Sequence, residues 1–262
     1  DRSCPRPGKQ GLKRGMSRAS GYSLLAWDSD FFARRIARID AHFFGPTTAE
    51  QIVREARADL VECLYLLLDG DDCEKIEVAN EMKFLHVDTR ITRERPLAKV
   101  QKGLIWPDDI DLCKPDDVEN LSAIARKSHH DSRFYHDPFF PRDRCDDLYE
   151  IWIRNACGGD AEAVVIARKE NIPVGYVTCE IPEPGLGRLG LVAVAADQNG
   201  LGYGGRMIDG ALSWLTSHGC SRVQVVTQGR NTRANRLYES RDFRTLSSQN
   251  SYHLWLSSGD HE

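Results

Sequence analysis

No apolar run in this 262-residue chain is long enough to cross a membrane, and none has the flanks of a signal-peptide core. Charge of one sign is not in excess. Thirty-five Lys and Arg stand against 39 Asp and Glu, giving a net charge of −4, which offers no support for nucleic-acid binding. Eight cysteines stand at 4, 63, 73, 113, 145, 157, 179 and 220, and no two form Cys-x-x-Cys. That spacing suggests neither a zinc site nor a redox pair. Cys63 and Cys179 lie in apolar runs and read as small core residues. The expected setting is reducing and cytoplasmic. Internal repeats and low-complexity tracts are absent too. Hydrophobic residues make up 41% of the chain, enough for one large or two small domains with a sizeable core.

One stretch, 187–205, organises the rest. Leu189, Leu191, Val192 and Val194 form a short apolar run suited to a buried strand. Gly200, Gly202, Gly204 and Gly205 then strip side chains from a turn, so that its N–H groups can approach a ligand closely. Met207, Ile208, Ala211, Leu212 and Leu215 recur at helical spacing. Strand, glycine turn and helix N-terminus together suit an anion, most often phosphate. The bland reading is a glycine-rich turn with no ligand.

Three phosphate readings compete. A nucleoside-triphosphate P-loop fails, because no Gly-Lys-Ser/Thr follows the glycines. Gly200, Gly202 and Gly205 spell the dinucleotide pattern G-x-G-x-x-G. The strand expected at 222–228 lacks the terminal acid that would hold a ribose, and too little chain follows. In the third reading, Val192-Ala193-Val194-x₄-Asn199-Gly200-Leu201-Gly202-Tyr203-Gly204 resembles the pyrophosphate loop of the GNAT N-acetyltransferases. That resemblance implies acetyl-CoA, held by Val192–Val194 and Asn199–Gly205. The family usually has Arg or Gln where Asn199 stands. A second half follows: Asn231, Ala234, Leu237 and Tyr238, then Phe243, resemble the family's Asn-x-x-Ala-x-x-Leu-Tyr and Gly-Phe, with Asp242 in place of the glycine. Tyr238 falls roughly two turns from Asn231. It is either a packing residue or, as the resemblance implies, catalytic.

The fold class expected is α/β with a mixed sheet: a C-terminal GNAT fold over 106–258 and a smaller α/β domain over 21–105. Residues 1–15 are basic and rich in Gly and Pro, Met16 is read as the natural start, and 1–20 is expected to be a disordered extension. In the first domain, strands at 35–39, 61–68 and 84–92 alternate with helices at 49–58 and 73–83, which implies parallel pairing. Thr47-Thr48-Ala49-Glu50 resembles a capping box. In the second, a strand at 110–114 precedes a helix opened by Pro115-Asp116-Asp117. An irregular segment, 128–142, leads to a helix over 146–157. Strands at 162–168 and 173–180 read as a hairpin around Glu170-Asn171.

Three further islands, Leu25–Phe32, Ser132–Phe140 and Trp152–Ala156, resemble the dTDP-fucosamine acetyltransferase family. That resemblance implies transfer of acetyl to the amine of a dTDP-4-amino-4,6-dideoxyhexose. Trp27, Phe31 and Phe32 read as core before sugar contacts. His129, His130 and His136 show no metal-ligand spacing, so no metal is expected. Arg133 and Phe134 are substrate-binding candidates, since a guanidinium grips phosphate in two places; a surface salt bridge is the alternative. Asp88, mid-strand, reads either as a water-facing residue on an alternating strand or as a base facing the domain cleft. The mechanism implied has Asp88 take a proton from the amine, a backbone N–H beside Val194 stabilise the oxyanion, Tyr238 protonate the thiolate and Asn231 orient the pantetheine. The expected partner is a small-molecule nucleotide-sugar acceptor, with no nucleic acid and no membrane; a homodimer stays open. Another amine (a protein N-terminus, a lysine, a polyamine) or a non-catalytic acyl-CoA-binding module are the alternatives.

Overall fold

The computed structural model describes residues 21–97 and 106–256, so the expectation for 1–20 lies outside the described residues. Elements run in chain order as β1 (Tyr22–Leu24), α1 (Ala26–Phe32), β2 (Ile36–Ile39), α2 (Ala49–Ala58), β3 (Cys63–Asp69), α3 (Cys73–Glu81) and β4 (Leu85–Pro96). They continue as β5 (Ile110–Leu112), α4 (Val118–Arg126), α5 (Arg133–His136), α6 (Arg142–Asn155), β6 (Ala163–Lys169), β7 (Ile172–Glu183) and β8 (Leu186–Val194). The last are α7 (Tyr203–Ser217), β9 (Arg222–Gln228), α8 (Thr232–Glu239) and β10 (Arg244–Trp255). The chain divides into two compact units. One holds 21–90, 136–140 and 248–256; the other holds 91–97, 106–135 and 141–247. The division falls inside β4, where the sequence suggested a boundary near 105.

In the first unit β2 and β3 pair in parallel, as the alternation of strand and helix requires. β1 closes antiparallel on β2. β10 was expected in the C-terminal domain, yet its residues 249–255 pair antiparallel with 69–63 of β3. Leu64, Leu66 and Leu68 turn to a core with Ile52, Val53, Ala56, Val78 and Phe84. On the alternate positions, Tyr65 stacks on His253 at 4.4 Å and Phe140 lies 4.5 Å from Phe32. β3 is therefore covered on both faces, which its unbroken apolar run foretold. Trp27 stacks on Phe31 at 5.1 Å, and Phe32 is buried. The capping box at Thr47 does not form: the Thr48 hydroxyl donates to the Phe43 carbonyl at 2.5 Å. Asp72 does cap, accepting the Lys75 N–H.

The second unit carries the sheet order β9-β8-β7-β6-β5. β8 and β9 are parallel and the other neighbours antiparallel, so the sheet is mixed. Glu170 and Asn171 both have positive φ, 50° and 67°, the tight turn of a two-residue hairpin joining β6 to β7. α6 begins one turn earlier than expected, at Arg142. The apolar face of α7 (Met207, Ile208, Ala211, Leu212, Leu215) packs on Val165, Val177, Leu189, Val223 and Val225. Among the described residues, no helix is long and apolar enough to cross a membrane.

Candidate functional site

The site is built where β8 parts from β9. Their parallel pairing runs from Leu186↔Arg222 to Leu189↔Val225 and goes no further. β8 continues to Val194 and β9 to Gln228. The cause lies on the other side of β8. Its register on β7 slips between Val177↔Val192 and Cys179↔Leu189, so that Thr178 faces both Gly190 and Leu191. Such a bulge bends the strand that carries it. It also removes an amide from the ladder, and the Thr178 hydroxyl accepts the Leu191 N–H at 2.8 Å. Val192 and Val194 are half-buried at the parted end, while Ala193 is buried.

The chain then turns through Asn199–Gly202 into α7. Gly200 and Gly202 have φ of 81° and 84°, a region that disfavours other residues. Asn199 anchors the turn through its side-chain N–H to the Ala196 carbonyl at 3.1 Å. No side chain caps α7, which leaves its first N–H groups and the positive end of its dipole for a ligand. Arg206 adds a cation. Its guanidinium lies 4.6 Å from the Tyr203 ring, donates to the Leu201 carbonyl at 3.3 Å and pairs with Asp109 at 2.8 Å. Arg241 lies against Gly205 so closely that a Cβ there would fall 1.9 Å from its Nη2. Neither arginine was legible as part of the site, because each comes from helix periodicity or a distant loop. A Cβ on Gly204 would meet Leu237 at 3.4 Å and Val194 at 3.8 Å. The end of β8, the start of α7 and α8 therefore converge there. These features fit acetyl-CoA: a backbone free of Cβ atoms, exposed helix N–H groups, two arginines and parted strands.

Tyr238 stands on α8, buried, edge-to-face with Phe243 at 5.7 Å. Burial holds its hydroxyl well above the usual phenol range, so it stays protonated. Asn231 is the N-cap of α8; its Oδ1 accepts the Ala234 N–H at 2.9 Å. Its carbonyl thus serves the helix, and only its amide N–H groups are left for a pantetheine. A network absent from the sequence reading holds the same helix. Asn235 Nδ2 donates to the Gln228 and Asn231 carbonyls, its Oδ1 accepts from Arg93 on β4, and Arg93 also reaches Glu239 at 2.7 Å.

The remaining candidates divide. Asp88 is only 5% exposed, and its neighbour Val87 is fully buried, at 0%. The strand is covered on both faces there, which overturns the water-facing reading of Asp88. Phe134 is 3% exposed against Trp152, a packing residue with little surface to offer a ligand. Arg133 is half-buried over the Phe134 ring, 4.7 Å from its centroid. His129 is stacked on Tyr149 at 4.4 Å and bonded to the Tyr176 hydroxyl at 2.9 Å. Burial, with a smaller push from His130, lowers its pKa to about 4. Among the described residues no group of three or more His, Cys, Asp or Glu is placed to hold a metal.

Residues 127–243 match the model of the acetyltransferase (GNAT) family. That segment, 127–243, forms a GNAT acetyltransferase domain. Its solved likenesses include a GCN5-related N-acetyltransferase from Sphaerobacter thermophilus, with a TM-score of 0.61 over 89% of this chain and 76% of that one. Their identity is 12%, so that likeness speaks for the fold alone. Two curated relatives are each 29% identical. One is the spore coat polysaccharide biosynthesis protein SpsD of Bacillus subtilis, matched over 54% of this chain and 49% of its own length. The other is a dTDP-fucosamine acetyltransferase of Escherichia coli O6:H1, matched over 48% of this chain and 54% of its own. The chain spans about half the length of these relatives.

Proposed function

We propose that the protein transfers acetyl from acetyl-CoA to the amino group of a nucleotide-linked amino sugar of the dTDP-4-amino-4,6-dideoxyhexose type. The observation that carries the acetyl-CoA half is the parting of β8 and β9 beyond Leu189↔Val225, beside the glycine turn and the uncapped start of α7. The acceptor half is supported by the two curated relatives, one a sugar-nucleotide acetyltransferase and one a polysaccharide biosynthesis protein by name.

Acetyl-CoA supplies an activated thioester. The N–H groups at Gly202–Gly205 and the Arg206 guanidinium hold its pyrophosphate. The amine attacks in its neutral form, and Asp88 keeps the role of base. A backbone N–H beside Val194 takes the charge that builds on the carbonyl oxygen. The Tyr238 hydroxyl donates to the departing sulfur. Burial raises this phenol above its ordinary value of about 10, and a thiol titrates near about 8.5. Full proton transfer is therefore uphill, and the role is a hydrogen bond that strengthens as the thiolate forms. Asn231 orients the pantetheine through its amide, and Arg133 takes the acceptor's phosphates.

The test is thiol release from acetyl-CoA against a panel of nucleotide amino sugars, polyamines and peptide amines. Turnover confined to the sugar nucleotides is the expected result. Preference for a polyamine or peptide removes the acceptor reading, and binding without turnover of any amine favours an acyl-CoA-binding module. Asp88→Asn, folded and inactive only below the pH at which the amine deprotonates itself, is the expected behaviour of a base.

A further inference from the structure

Cys113 and Cys157 lie 44 positions apart in sequence, and their sulfurs are 3.5 Å apart. Cys113 follows β5 directly, and Cys157 sits in the wide turn 156–160 that ends α6. Both are half-buried free thiols, within reach of a small molecule. Cys63, Cys145, Cys179 and Cys220 are buried, and Cys73 is exposed. Nothing in the spacing of the cysteines announced the pair, because the fold alone brings residues 113 and 157 together.

We propose that Cys113 and Cys157 form a reversible disulfide that locks α4 and α6 together. A disulfide needs a sulfur separation of about 2.05 Å, so one side must move by roughly the difference. Cys113 is held, since its N–H donates to the Val164 carbonyl at 2.8 Å. Cys157 can give way. Gly158 and Gly159 follow it, both exposed and with nothing within 4 Å of a Cβ built on either. The Cys113 thiol donates to the Cys157 sulfur, and that bond is the largest influence on Cys157; with Arg154 it outweighs burial and Asp117, so the Cys157 thiol is lowered. Cys157 is then the attacking thiolate.

The co-reactant is a low-molecular-weight disulfide of the glutathione type. The Cys157 thiolate attacks one of its sulfurs and expels one thiolate. Cys113 gives its proton to solvent and attacks the Cys157 sulfur of the mixed disulfide, releasing the second thiol. Two protein thiols are oxidised, and one disulfide is reduced to two thiols. The bond would close a loop holding α4, α5 and α6, whose contacts already include Arg126 with Asp147 and Glu150 and Arg154 with Glu119.

The experiment titrates the folded full chain with oxidised and reduced glutathione and reads intact mass, peptide maps and melting. The expected product is about 2 Da lighter, with Cys113 linked to Cys157. Its melting temperature is expected to rise by at least about 4 °C and to return on adding dithiothreitol. Cys157→Ser is expected to lose no mass. Two results overturn the proposal: Cys113 and Cys157 remaining thiols or ending as separate glutathione adducts under excess oxidant, or a mass loss that persists in Cys157→Ser.

Discussion

Asn235 on α8 receives two hydrogen bonds on one oxygen from Arg93 on β4, at 3.1 Å from Nε and 3.0 Å from Nη2. The other end of the same amide donates to the carbonyls of Gln228 and Asn231. One side chain thus ties the strand, the loop and the helix that carries Tyr238. Arg93 is 6% exposed and satisfied by Asn235 and Glu239.

The first prediction concerns this network. Arg93→Ala leaves the half-buried Asn235 oxygen without its donors, at a cost of about 1 kcal/mol. Thermal melts should show that loss. Acetyl-CoA affinity should hold, because the glycine turn is untouched, while kcat should fall. Arg93→Lys, a single donor in place of a fork, should recover part of both. Equal loss of affinity and kcat in the two variants would make Arg93 a general support rather than a positioning residue for α8.

A second prediction tests the pyrophosphate turn. Gly202 has a φ of 84°, and a Cβ there would lie 2.9 Å from Arg206 Nη1. Gly202→Val adds strain of roughly 1–2 kcal/mol and displaces the guanidinium. Calorimetry should show acetyl-CoA affinity reduced tenfold or more, about 1.4 kcal/mol. Unchanged affinity in a folded variant would remove the turn from the site.

Much of this was legible in the sequence. The 187–205 stretch shows its strand, turn and helix because apolar run, glycine cluster and helical periodicity follow one another without a gap. Pairing between distant segments was not legible. Nothing local in β10 says that 249–255 will pair with β3 rather than finish the second unit. A fragment starting near 105 would strip β10 of that partner, so it cannot isolate the acetyl-CoA site cleanly. Asp88 misled for a related reason. Alternation within one strand identifies a polar position, but not whether a second layer covers it. The Thr178 bulge was hidden too, since it arises from the register of two strands.

The third prediction is a pH dependence. His129 titrates near 6.5 when unfolded and about 4 in the fold, because burial opposes its charge. The unfolded chain therefore binds a proton that the folded one refuses over this window. Stability from this residue is full above about pH 6.5 and falls as pH drops toward about 4. Denaturant melts across pH 4–7 should show that loss. His129→Asn should flatten it, and an imidazole that titrates near 6.5 by NMR in the folded protein would contradict the assignment.

The last prediction concerns Tyr238, the residue with two readings. Its ring is buried in the core with Met207, Phe243 and Val225, so packing alone could explain its presence. Tyr238→Phe removes one hydroxyl and little volume. If that hydroxyl donates to the departing sulfur, kcat should fall by roughly 10²-fold or more. Michaelis constants should move little, because the interaction exists mainly in the transition state. Burial keeps the phenol protonated past neutral pH, so the wild-type rate should show no basic limb from Tyr238 below about pH 10. A packing residue behaves differently. Tyr238→Phe would then keep nearly full kcat, while Tyr238→Ala would lose about 3–5 kcal/mol through the cavity left behind. Initial rates beside melts for both variants separate the two. A Phe variant near the wild-type rate would remove the Tyr238 hydroxyl from the chemistry.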